Sequence, residues 1–103
     1  MSRARRLGFV LGTSDEADLR LLCRLALAAL GAGCEVRLFL MHEAVGWLGR
    51  PELAALVEAG ADATYCGTNA AGGELAAETP VREGSQLDHA ALLRECERVL
   101  TLA

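Results

Sequence analysis

The stretch of this chain best equipped for chemistry is Ala63-Thr64-Tyr65-Cys66-Gly67-Thr68-Asn69-Ala70-Ala71-Gly72-Gly73. A short run suited to a β-strand reaches a thiol and breaks at once into residues that favour turns and helix caps. In a parallel α/β sheet, ligands and reactive groups gather at the carboxyl ends of the strands. A helix beginning just after Cys66 would aim free amides and a positive dipole end at the sulfur, lowering its pKa and favouring the thiolate. Gly67, Thr68 and Asn69 would supply those amides. The competing reading, held at even weight, is that Cys66 only packs.

The other candidates are weaker. Cys23 and Cys96 lie at inward positions of helical segments, where a thiol acts as a small hydrophobe, and Cys34 sits in a turn before a strand. Gly31-Ala32-Gly33 ends a helix instead of opening one, so it is no dinucleotide loop. Gly67 to Gly73 has the spacing of a phosphate loop, but glycine stands where lysine is required. His42 closes a strand and could act as a base or proton donor to a neighbouring thiol, although a solvated loop histidine is the default. His89 follows a capping aspartate and reads as structural or exposed. Neither histidine falls at ligand spacing from cysteines or carboxylates, so no metal is expected, and no cofactor is expected either.

Composition narrows the classes further. All ten basic residues are arginine, which excludes lysine Schiff bases and the lysine of a Walker loop. A formal charge of −4 with no basic stripe argues against nucleic acid. Four cysteines without a C-x-x-C pair suit a reducing cytoplasm better than a disulfide framework or a zinc site. Arg5-Arg6 precedes only five apolar residues, too few for an export signal, and no segment is long enough to span a membrane.

The elements that must position Cys66 can be read in order within one domain, residues 1–103. Leu7 to Leu11 is a continuous apolar run, the mark of a strand buried on both faces. Thr13-Ser14-Asp15-Glu16 reads as a threonine-led capping box opening a helix to about Ala32. Its inward face is Leu19, Leu22, Cys23, Ala26, Ala29 and Leu30. Leu25 to Leu30 is apolar all round; a subunit interface is a natural way to cover the second face, and the competing reading is that its alanines simply tolerate exposure.

Glu35 to Met41 reads as the second strand. Pro51 starts a helix closed by Gly60, and Asp62 to Cys66 is the third strand. This β-α-β-α-β order predicts a parallel sheet with right-handed crossovers. Residues 74–84 are the least legible: Leu75-Ala76-Ala77 suggests a short helix, and Val81-Arg82 a brief strand after Pro80. Ser85 to Asp88 is a second capping box, opening a helix with Leu92, Leu93 and Cys96 inward, and Arg98 to Leu102 is the last strand.

Arg6 to Thr13, Ala26 to Phe39, Tyr65-Cys66-Gly67-Thr68 and Glu97 to Thr101 together resemble the DsrE/DsrF/TusD-like family of sulfur-relay proteins, across almost the whole chain. The resemblance implies a three-layer α/β/α fold with a mainly parallel five-stranded sheet in the order 4-3-2-1-5. It also implies assembly into dimers, trimers or hexamers. In that family a cysteine after the third strand carries sulfur as a persulfide between donor and acceptor proteins, and Cys66 matches it. The implied strand order makes His42 and Glu43 neighbours of the thiol. Asn69 and Gly72-Gly73 stand where some relatives have a second cysteine and an Arg-Gly pair. The resulting expectation is a cytoplasmic, oligomeric persulfide carrier; the alternative is a non-catalytic assembly subunit or small-ligand-binding module of the same fold.

Overall fold

A computed structural model of the chain describes residues 4–70 and 79–103. Five strands form one parallel sheet: β1 (Arg6–Leu11), β2 (Glu35–Leu40), β3 (Asp62–Cys66), β4 (Arg82–Gly84) and β5 (Arg98–Leu102), in the order β4-β3-β2-β1-β5. Helices α1 (Glu16–Gly31), α2 (Pro51–Glu58) and α3 (Gln86–Glu95) complete the layers. This is the three-layer α/β/α architecture, with the order 4-3-2-1-5.

The direction of each crossover decides which face its helix covers. Moving from β1 through β2 to β3 always shifts the chain the same way along the sheet, so right-handed connections place α1 and α2 on one face. The return from β4 to β5 runs the opposite way and places α3 on the other. Period-two alternation then sorts the strand side chains. Leu11, Leu38, Leu40, Ala63 and Tyr65 join the α1/α2 core, whereas Val10, Phe39 and Cys66 pack with Leu92 beneath α3.

Local chemistry fixes the helix ends. The cap of α1 is Asp15, which accepts from the Ala17 amide at 2.8 Å, and not the expected Thr13. Thr13 instead donates to Asp18 at 2.8 Å. At the other end Gly33 takes φ +87°, and the Cys34 amide donates back to the Ala29 carbonyl at 3.0 Å. Gly60, at φ +116°, ends α2 in the same way, with Pro51 at its first turn. Ser85 and Asp88 form the expected reciprocal capping box of α3.

Two other expectations change. Leu93 is 50% exposed, so the inward face of α3 is carried by Leu92 alone among the helix's fully buried residues, with Cys96 half-buried just past its end. The fourth strand is Arg82–Gly84, one residue later than Val81-Arg82, with Val81 buried ahead of it. The proposed helix at Leu75-Ala76-Ala77 lies outside the described residues. Among the described residues no helix is long and apolar enough to cross a membrane.

Candidate functional site

Cys66 is the last residue of β3, at the carboxyl end of the sheet, as its sequence setting suggests. Its neighbours across the ladder are set by register: it pairs with Gly84, and the Gly67 amide donates to the Gly84 carbonyl at 3.0 Å. The strands on either side of this junction leave it toward opposite faces. After β3, Ala70 packs against the α1/α2 core; after β4, the chain turns into α3. Such a divergence is where crevices open in α/β sheets.

The thiol itself is not open at this junction. Tyr65 and Cys66 are consecutive on a strand, so they point to opposite sides, and Cys66 points to the α3 side with Val10, Phe39 and Leu92. Only 3% of the residue is exposed. Met41 borders the same cluster, and Gln86, first residue of α3, reaches the Met41 sulfur at 3.9 Å. His89 stacks on the fully buried Phe39 ring, centroids 5.2 Å apart and planes within 5°. His89 is thus a packing residue over this cluster. The open thiol expected at the strand end is a buried one, because strand parity and the landing of α3 close over it.

Of the surroundings expected to support a thiolate, the Gly67 amide, the Asn69 side chain and the His42 amide are engaged elsewhere. The Gly67 amide is taken by Gly84. Thr68 and Asn69 are exposed in the turn, which the Ala70 amide closes on the Cys66 carbonyl at 3.2 Å. Asn69 Oδ1 accepts from the His42 main-chain amide at 2.8 Å. The loops after β2 and β3 are therefore neighbours, as the strand order implied, but His42 takes part through its backbone. Its φ of +54° is a left-handed conformation uncommon for a non-glycine residue. Glu43 accepts from Ser14 Oγ at 2.7 Å, which ties it to the loop after β1. The helix start expected just after Cys66 is a turn as far as Ala70; beyond that it lies outside the described residues.

Burial governs two of the other thiols, Cys23 and Cys96. Desolvation pushes the Cys23 thiol up, with the Glu52 carboxylate adding to the effect. It raises Cys96 too, against the opposing pull of Arg37 and Arg6. All four cysteines are unpaired. Among the described residues no group of three or more His, Cys, Asp or Glu side chains is placed to hold a metal ion.

Trp47 and Arg50 carry contacts whose partners residue type and spacing do not reveal. The Trp47 indole donates to the Thr13 carbonyl at 3.0 Å, and the Arg50 guanidinium lies 5.1 Å from the Trp47 ring while bridging Glu52 and Glu16. Together they lock the loop after β2 to the start of α1. A lone tryptophan in a loop was the available signal, since indole nitrogens ordinarily find an acceptor.

A second feature is apolar. On the α1/α2 face, α1 packs over β1 and β2, leaving an open groove of about 460 Å³ between α1 and the edge strand β5. Leu7, Phe9 and Leu100 floor it, Leu25, Ala28 and Ala32 wall it, and Arg98 stands at one end. Leu21, Leu25 and Leu27 of α1 are 45%, 40% and 48% exposed. Comparison with known proteins returns no matching family model and no matching curated protein.

Proposed function

We propose that this chain is an assembly subunit with a DsrE/TusD-like fold, acting through its α1 surface, with Cys66 serving to pack the α3 face. The observation that carries this reading is the pair Leu21 and Leu25 on one side of α1, 45% and 40% exposed, next to an apolar groove that Leu25 helps to line. Contiguous apolar surface of that kind marks a site of association. The strand order 4-3-2-1-5 supports the family resemblance, which itself implies oligomers. Sedimentation velocity on the full chain over a range of concentrations tests the reading. Self-association is expected, and a monomer at every concentration would refute it.

A second reading keeps the sulfur carrier, and one observation favours it: Cys66 sits at the junction where β3 and β4 leave the sheet toward opposite faces. In that reading the Cys66 thiolate attacks the outer sulfur of a donor persulfide. The new S–S bond forms as the donor's S–S bond breaks, and the donor leaves as a thiol. An acceptor thiol later takes the terminal sulfur by the same exchange. The packing of α3 over Cys66 would have to loosen for the donor to reach a residue 3% exposed. Incubation with a persulfide donor followed by intact-mass measurement decides between the readings. One added sulfur atom in the wild type and none in Cys66→Ser establishes the carrier; equal masses before and after leave the packing role.

A further inference from the structure

The exposed side of α1 next to the groove carries a regular pattern of side chains. Asp18, Leu21, Leu25, Ala28 and Ala32 recur at intervals of three and four, which places them on one stripe of the helix. The stripe is uneven in a specific way. Its amino-terminal half carries two large projecting side chains, Leu21 and Leu25, 45% and 40% exposed. Its carboxyl-terminal half carries only the methyls of Ala28 and Ala32, and there the stripe falls away into the groove floored by Leu7 and Leu100. One half supplies knobs and the other a hole.

We infer that two copies pair through α1 in antiparallel fashion about a two-fold axis near Leu25, each inserting Leu21 into its partner's groove beside Ala28 and Ala32. This rests on the assembly reading above and names its surface and partner. An isologous contact requires a patch that complements itself when turned through half a revolution, and a helix with large residues at one end and small ones at the other does so. The charges agree with the steric pattern. Asp18 begins the stripe, and Arg98 lines the groove near its far end, with no carboxylate within ion-pair distance among the described residues. Antiparallel pairing brings each Asp18 toward the other copy's Arg98. A parallel pairing would set leucine against leucine and leave both grooves empty. Leu27 and Leu87 lie off this stripe, and the contact leaves them at the surface.

Sedimentation equilibrium on the full chain tests the inference. Leu25→Glu, at an exposed position, is expected to keep the far-UV dichroism and melting behaviour of a folded chain. It should weaken dimerisation roughly 30-fold or more, as for a central apolar anchor. Leu87→Glu, at an 81% exposed site on α3, is the control and should dimerise as the wild type does. Asp18→Lys and Arg98→Glu should each weaken the dimer several-fold, and the two together should recover most of the loss. If Leu21→Glu and Leu25→Glu both remain fully associated, the surface assignment is overturned while the assembly reading stands. A wild type that is monomeric overturns both. An oligomer of odd order, or a double charge reversal no better than the single ones, overturns the two-fold antiparallel arrangement.

Discussion

Cys66 shows how one residue's chemistry is governed by strand parity. Its position at the carboxyl end of β3 is where a reactive group belongs, yet the alternation that turns Tyr65 toward α1 and α2 turns Cys66 under α3. Reactivity of a thiol needs access as well as ionisation. Iodoacetamide is therefore expected to modify Cys66 at least about tenfold more slowly in the folded chain than in urea. Mass mapping of the labelled cysteines checks this, and equal rates would show that the α3 lid opens freely. Cys23 should be protected likewise, because burial holds its thiol protonated well above neutral pH. His42 presents the opposite case, an exposed side chain on a strained backbone at φ +54°. His42→Gly should leave stability unchanged or raise it by about 1 kcal/mol, since glycine adopts that conformation at no steric cost. A clear loss in chemical denaturation would mean that the ring contributes a contact of its own.

At the scale of elements, α3 depends on what lies beneath it and on its cap. A Cβ on Gly8 would sit 2.6 Å from Leu92 Cδ2 and 3.1 Å from the Cys96 sulfur. Leu92 is 3% exposed and packs directly on this position, so β1 carries glycine where the helix lands. Gly8→Ala is expected to cost about 1–3 kcal/mol by overpacking, measured by urea unfolding. If the cost is negligible, α3 has room to shift, and the closure over Cys66 is looser than the packing implies. Ser85→Ala removes the acceptor of the Leu87 amide and should cost about 1 kcal/mol.

For the molecule as a whole, the α3 layer is joined to the sheet by an ion pair as well as by the core. Arg37 on β2 donates to Glu95 at the end of α3 at 2.6 Å. That hydrogen bond holds the Glu95 carboxyl below its ordinary range. A folded-state pKa below the unfolded one means the stabilisation is present above the usual carboxylate value of about 4.3 and fades as pH falls through the folded value. Wild type should thus exceed Glu95→Gln in stability at neutral pH, with the gap closing in acid; urea midpoints measured at several pH values check it. A gap unchanged with pH would assign the effect of Glu95 to packing.

Much of this architecture is legible in the order of residues, because it rests on short-range physics. Asp62 to Cys66 forms a strand, Ser85 and Asp88 cap a helix, and Gly33 and Gly60 end two others, since strand runs, caps and left-handed turns are decided within a few residues. The β-α-β-α-β rhythm is enough to require a parallel sheet. Asp15 in place of Thr13 as the cap of α1, and the outward turn of Leu93, lie one or two positions from where the pattern points, which is the scale at which neighbouring polar groups compete. Which face each side chain meets is decided only in three dimensions. The sequence places a thiol at the end of β3, but α3, arriving from beyond β4 on the opposite face, determines that the thiol is covered. The apolar run in α1 likewise appears in the sequence as surplus hydrophobicity. Strand order makes it a surface, because β5 joins the sheet beyond β1 while its crossover helix lies on the other side, leaving the leucines of α1 beside an open groove.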